Sequence, residues 1–237
     1  MPAPEPSAPV SSPLPVTIVG GYLGAGKTTL VNHLLREAAG RRLAVLVNDF
    51  GELPIDPDLI ETVAGNVIGI AGGCVCCSYG SDLIAALEDL LQLAPRPDQV
   101  LIEASGVALP GAVASALTLV PGYVLDGILV LADAETVRQR AVDPYMADTV
   151  LRQLTDADLL VLNKTDLVDA NALAATLGWL ADIAPGRPVL TASEARIPPA
   201  VASGLPAAAG PGLASTGADP RAPATHHDTD GFATASF

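Results

Sequence analysis

The residues Gly21-Tyr22-Leu23-Gly24-Ala25-Gly26-Lys27-Thr28 fit the pattern GxxxxGK[ST]. Glycines at those spacings let successive backbone N–H groups curl around phosphate oxygens, and a helix opening at the last residues adds the favourable end of its dipole. In such a loop Lys27 contacts the β and γ phosphates of a nucleotide and Thr28 coordinates Mg²⁺. Gly21, Gly24, Ala25, Gly26 and Thr29 complete the candidate cradle. The context agrees, because a short β-rich run (Val16 to Gly20) precedes the motif and a helical pattern through Thr28, Leu30, Val31, Leu34 and Leu35 follows it.

A second motif, Asn163-Lys164-Thr165-Asp166, follows the buried-strand run Leu159 to Leu162. Asp166 there can accept two hydrogen bonds from guanine, at N1–H and the 2-amino group. Adenine offers neither donor and would leave the carboxylate unpaired, a mismatch that discriminates by a factor on the order of 10⁴. GTP is therefore expected over ATP, with the stem of Lys164 over the base and Asn163 bracing the loop. A kinase built on the same phosphate loop has no use for such a motif. Leu101-Ile102-Glu103 ends another buried run and leads into Ala104-Ser105-Gly106. Glu103 thus sits at the strand edge where ligands of open α/β sheets gather, positioned to hold Mg²⁺ through water or to orient the attacking water. The Gly106 N–H is the candidate sensor of the γ-phosphate.

Cys74, Cys76 and Cys77 form a CxCC behind Gly72-Gly73 and are all the cysteines of the chain. Thiolates suit Zn²⁺ and Cu(I), and three sulfurs fall short of the closed four-ligand set of a structural zinc site, which leaves a position for exchange. Buried inert thiols and a regulatory disulfide stay open as alternatives. Such local clustering is no disulfide framework and points to a reducing, cytoplasmic setting.

Composition narrows the partners. Of 237 residues half are apolar and 16% are charged, which excludes wholesale disorder. The formal charge of -14 would repel a phosphate backbone, so nucleic acid is not expected as a partner. Ala104 to Leu125 carries no charge, but Pro110, Pro121 and three glycines interrupt it, so it reads as core and not as a membrane span. The Pro-rich start has no Lys or Arg and no apolar h-region, unlike a secretory signal. Ten arginines stand against two lysines, and those two are Lys27 and Lys164, one in each nucleotide motif.

Elements that position these motifs alternate along the chain. Buried-strand runs are expected at Val16 to Gly20, Leu43 to Val47, Val67 to Ile70, Val100 to Ile102, Gly127 to Ala132, Leu159 to Leu162 and Val189 to Thr191. Helices are expected at Ser81 to Leu93, Gly111 to Leu119, Ala134 to Arg140, Ala147 to Leu154 and Ala170 to Ile183. The alternation implies an α/β fold with a mostly parallel sheet flanked by helices. Residues 1–15 read as a disordered lead, 16–196 as the nucleotide-binding domain and 197–230 as a flexible linker with His226 and His227. Residues 231–237 read as the start or vestige of a C-terminal domain.

Taken in order, GGYLGAGKTTLVNHLL, NDFGELPID, GGCVCC, LIEASGVALP and VLNKTDLV resemble the CobW-like branch of the SIMIBI-class P-loop GTPases, the CobW/HypB/UreG group, over about Val16 to Ala195. The resemblance implies that the CxCC binds metal close to the nucleotide and that the segment Asn48 to Glu52 is a switch near Mg²⁺ and metal. Glu52 thereby becomes a candidate ligand beside Cys74, Cys76 and Cys77. It further implies GTP hydrolysis linked to delivery of Zn²⁺ to a metal-requiring client protein, with a homodimer open. Nickel- or cobalt-insertion GTPases share the scaffold, and a non-hydrolysing metal or redox sensor is the remaining alternative.

Overall fold

A computed structural model describes residues 12–38, 40–47, 67–71 and 81–202. Seven strands form one sheet: β1 (Leu14–Gly21), β2 (Leu43–Val47), β3 (Val67–Ala71), β4 (Gln99–Glu103), β5 (Tyr123–Asp133), β6 (Leu159–Asn163) and β7 (Val189–Thr191). Their order is β3-β2-β4-β1-β5-β6-β7, and every pair is parallel. Helices α1 (Lys27–Arg36), α2 (Ser81–Leu91), α3 (Pro110–Leu117), α4 (Val137–Arg140), α5 (Ala147–Asp156) and α6 (Ala170–Ile183) lie between the strands.

Burial on both faces explains the continuous apolar runs. Along β1, Val16 and Ile18 point into one core with α2, α3, α5 and α6, while Val19 points into the other, with Leu30, Val31, Leu34 and Leu35 of α1. Alternation of faces along a strand thus serves two cores at once. Helix starts follow local rules: Pro110 occupies the first turn of α3, and the Asp169 carboxylate caps α6 by accepting from the Ala172 amide at 2.8 Å.

All seven expected strands form. The largest difference is β5, which begins at Tyr123, before the expected Gly127, because its first residues are only half-buried and lack the continuous apolar signal. Helix α4 is shorter than the expected Ala134 to Arg140, since Asp133 turns the chain first by accepting from the Glu135 amide at 2.9 Å. Leu14 of the proline-rich lead is already in β1 and buried.

Residues 197–202, which read from composition as the start of a linker, pack on the α1 face. Ile197 and Ala202 are buried, and Pro199–Ala202 form a 3-10 turn. The Ala202 carbonyl accepts from Thr17 Oγ1 and from Gln99 Nε2, both at 2.8 Å, and His33 Nε2 lies 2.9 Å from the Ile197 carbonyl. Side-chain donors from α1 and the sheet therefore satisfy a segment that has no ladder of its own. Residues 203–237, with His226, His227 and the proposed second-domain start, lie outside the described residues. No helix among the described residues is long and apolar enough to cross a membrane.

Candidate functional site

Strand order reverses at β1, whose neighbours β4 and β5 belong to opposite halves of the sheet. Crevices at the carboxyl ends of such strands are where open α/β sheets bind ligands. Four segments meet there: the loop from β1 into α1, the residues after β4, the end of β5, and the turn after β6.

The first loop needs its glycines. Gly24 and Gly26 have φ of 78° and 103°, a left-handed region that favours glycine. A Cβ on Gly26 would stand 2.5 Å from Asn163 Nδ2, so the loop also requires the missing side chain for space. Gly26 precedes α1, whose N-terminus carries no side-chain cap and no acid in its first turn. That end presents amide donors and positive dipole without a competing carboxylate. Lys27 is buried, with Nζ 3.4 Å from the Tyr22 carbonyl, folded back across its own loop.

Thr28 donates its hydroxyl to Glu103 Oε1 at 2.6 Å, joining the start of α1 to the end of β4. Glu103 is 5% exposed. After it, Gly106 packs so tightly on the first loop that a Cβ would meet the Leu23 amide nitrogen at 2.9 Å. The Ser105 hydroxyl is buried without a hydrogen-bond partner among the described residues.

Asn163 is 2% exposed and bridges two loops: Nδ2 donates to the Ala25 carbonyl at 2.9 Å, and Oδ1 accepts from the Ala195 amide at 2.8 Å. One side chain thereby ties the phosphate-type loop to the loop after β7. Lys164 has φ of 62° and sends Nζ to Asp133 Oδ2 at 2.7 Å. Asp166 follows in the 3-10 turn Thr165–Leu167, which is held by the Thr165 amide donating to the Ala192 carbonyl at 3.1 Å. Together these residues line a cleft of about 510 Å³ shared by Gly24, Gly26, Thr29, Asn163, Lys164 and Asp166. His33, Arg36, Glu194 and Arg196 also line it, and Arg196 pairs with Glu194 at 2.7 Å. The arrangement has donors for an anion at one end, a carboxylate for two adjacent donors at the other, and a hydroxyl–carboxylate pair of hard oxygens between the central strands.

The structure thus brings Gly24, Ala25, Gly26, Lys27, Thr28, Thr29, Glu103, Gly106, Asn163, Lys164 and Asp166 to one edge of the sheet, with Gly21 at the end of β1. Glu52, Cys74, Cys76 and Cys77 lie outside the described residues. Asp133, Ala195 and Gln153 escaped the sequence reading. Asp133 ends an apolar run much as Glu103 does, and that parallel was the available signal. Ala195 acts through its backbone, which leaves no trace in residue type.

Residues 15–191 match the family model for the CobW/HypB/UreG nucleotide-binding domain. The chain is 36% identical over 228 residues to the zinc chaperone CobW of Pseudomonas aeruginosa, a match covering 83% of this chain and 61% of that protein. It is 37% identical over 164 residues to the zinc chaperone YjiA of Escherichia coli, covering 66% and 51%. The Zn(II)-bound YjiA GTPase from E. coli is similar in structure, with a TM-score of 0.55 at 28% identity over 76% of this chain and 57% of that one. Hydrogenase maturation factor HypB from Archaeoglobus fulgidus, at 17% identity and a TM-score of 0.54, shares the fold. The chain spans about two fifths to three fifths of the length of the curated relatives it matches. With a match over residues 15–191 and the phosphate-type loop, Glu103 and NKTD gathered at the reversal of strand order, this chain belongs to the CobW/HypB/UreG family.

Proposed function

We propose that this chain binds GTP, hydrolyses it to GDP and phosphate, and couples the cycle to carrying Zn²⁺ as cargo to a metal-requiring client protein. One observation carries the nucleotide half: Asn163 hydrogen-bonds both the Ala25 carbonyl and the Ala195 amide, so the loop suited to phosphate and the turn bearing Asp166 share one cleft. The names of the relatives and the CxCC support the metal half, with Cys74, Cys76 and Cys77 holding Zn²⁺ and Glu52 as a further ligand. A cytoplasmic location suits a protein that keeps three neighbouring thiols reduced.

In this reading the amides of Gly24, Ala25 and Gly26 and the α1 N-terminus cradle the phosphates. Lys27 leaves the Tyr22 carbonyl for the β and γ oxygens, and Thr29 lies along the α-phosphate side. Asp166 accepts from guanine while Lys164 covers the base. The Thr28 hydroxyl and Glu103 carboxylate fit Mg²⁺, a hard ion that takes oxygen ligands; Thr28 would hold it directly and Glu103 through water. Bound there, Mg²⁺ would neutralise charge on the transferring phosphoryl group. Glu103 orients the attacking water, whose oxygen bonds to the γ-phosphorus as the bond to the β-bridging oxygen breaks, its protons leaving on the released phosphate, and the Gly106 N–H donates to the γ-phosphoryl oxygen.

Nucleotide titrations test this reading. The native protein should bind GTP and GDP far more tightly than ATP, and Asp166→Ala should lose the preference. Equal affinities for GTP and ATP in the native protein would contradict it.

A further inference from the structure

Helix α5 grips the segment that follows Glu103. Gln153, 1% exposed in the middle of α5, donates both hydrogens of its amide nitrogen to that segment, to the Gly106 carbonyl at 3.0 Å and the Ala108 carbonyl at 2.8 Å. One turn on, Asp156 accepts from the Gly111 amide at 2.9 Å, and a Cβ on Gly111 would meet its carboxylate at 2.7 Å. The segment 106–111 is therefore held at both ends by one helix. On its other side Gly106 rests against the Leu23 backbone of the phosphate-type loop.

Peptide geometry gives this grip a consequence. Fixing the Gly106 and Ala108 carbonyls fixes the planes of the peptides that contain them, and with them the direction of the amides at Val107 and Leu109. It also leaves the Glu103–Gly106 turn little freedom, because its start is pinned by the Ala104 amide donating to the Val19 carbonyl at 2.9 Å. A buried glutamine satisfying two loop carbonyls is a rigid support of the kind that sets catalytic groups to within fractions of an ångström.

We propose that Gln153 is a positioning residue for GTP hydrolysis. It acts through the Gly106–Ala108 backbone, holding the segment after β4 where Gly106 and Glu103 meet the γ-phosphate. This rests on the assignment of Glu103 and Gly106 to the γ-phosphate made above. GDP lacks that group, so Gln153 should matter to GTP and its turnover and leave GDP binding alone.

The test uses the full chain and Gln153→Met, which keeps length and volume but donates nothing. Expected are a fall in kcat of about tenfold and a fall of similar size in the ratio of affinities for a non-hydrolysable GTP analogue and GDP, with KM for GTP rising in step. GDP affinity should stay within about twofold. If Gln153→Met does not fold, Gln153→Asn serves, since its shortened amide cannot reach both carbonyls, and the same shifts are expected. A folded variant with lower thermal stability but native kcat and a native analogue-to-GDP ratio would show a purely structural glutamine and overturn the proposal. Glu103→Gln, run beside it, separates the two levels. If Glu103→Gln also turns over at the native rate, the assignment of the segment to the γ-phosphate has failed. If it slows and the Gln153 variants do not, the inference alone has failed.

Discussion

Lys164 and Asp133 show how a site residue can depend on one that no motif announces. Lys164 holds a left-handed backbone, and its ammonium meets Asp133 Oδ2 at 2.7 Å, with the carboxylate nearly buried and the lysine partly exposed. The ion pair keeps the lysine stem at the mouth of the cleft, where it can lie over a base. If Asp133 works through Lys164, Asp133→Asn and Lys164→Met should each weaken GDP binding about five- to tenfold, and the double variant should be no worse than the poorer single one. Titrations that give additive losses would separate the two residues. Lys27 gives a sharper expectation: Lys27→Ala should abolish GTP turnover while the fold persists, because the proposed task of its ammonium is phosphate charge and not core packing. Unchanged hydrolysis would contradict its role. Lys27, Thr28, Asn163 and Asp166 were legible because each belongs to a short motif whose spacing is itself the signal, although Thr28 and Asn163 make bonds 75 and 138 residues away. Asp133, Gln153 and His33 act on segments 31 to 164 residues away, and such contacts exist only once the sheet has formed.

Elements were legible where burial covers both sides, as along β2, β4 and β6. The seven strands announced themselves as unbroken apolar runs, and α6 matched its expected range because Asp169 caps its start. The segment after Arg196 was not, since Pro, Ala and Gly carry no hydrophobic period; it is fixed by Ile197, Ala202 and a buried polar knot. Gln99 is central to that knot, donating to Thr17 Oγ1 at 2.8 Å and accepting from Arg41 at 2.9 Å as well as binding Ala202. Truncation after Ala202 should therefore keep the stability of the full chain, whereas truncation after Arg196 should cost roughly 3 kcal/mol or more from exposed Ile197 and orphaned donors on Thr17 and Gln99. Denaturant melts of the two truncations decide this, and equal midpoints would mean that residues 197–202 merely rest on the surface. A second expectation concerns the joint between α2 and β5, where the Tyr123 hydroxyl donates to the Leu87 carbonyl. Burial raises that phenol from 10.0 to about 12, so the neutral form belongs to the fold. Its contribution is complete below pH 10 and is lost as pH rises towards 12. The stability of Tyr123→Phe should fall less over that window than that of the native protein, which thermal melts at several pH values would show.

At the scale of the molecule, charge and topology agree on one place. A chain of net charge -14 gathers Arg36, Lys164 and Arg196 around a cleft that also holds Asp166 and Glu194, at the edge where strand order reverses. These three cations favour an anionic ligand there over the rest of an acidic surface. Helix α5 reaches the segment after Glu103 through Gln153 and runs through Ala157 and Asp158 into β6, whose last residue is Asn163, so the groups proposed for γ-phosphate and for guanine hang on one continuous stretch of chain. In the proposed cycle the nucleotide site governs a metal site. Linkage then requires GTP and Zn²⁺ to change each other's affinity by the same factor, on the order of 5 to 150-fold. Replacing Cys74, Cys76 and Cys77 with serine should remove zinc binding and leave GDP affinity nearly unchanged. The direct measurement is the Zn²⁺ affinity of the native protein with GDP against that with a non-hydrolysable GTP analogue. Zinc should bind more tightly with the analogue and be released in the GDP state; identical affinities in the two states would contradict this coupling.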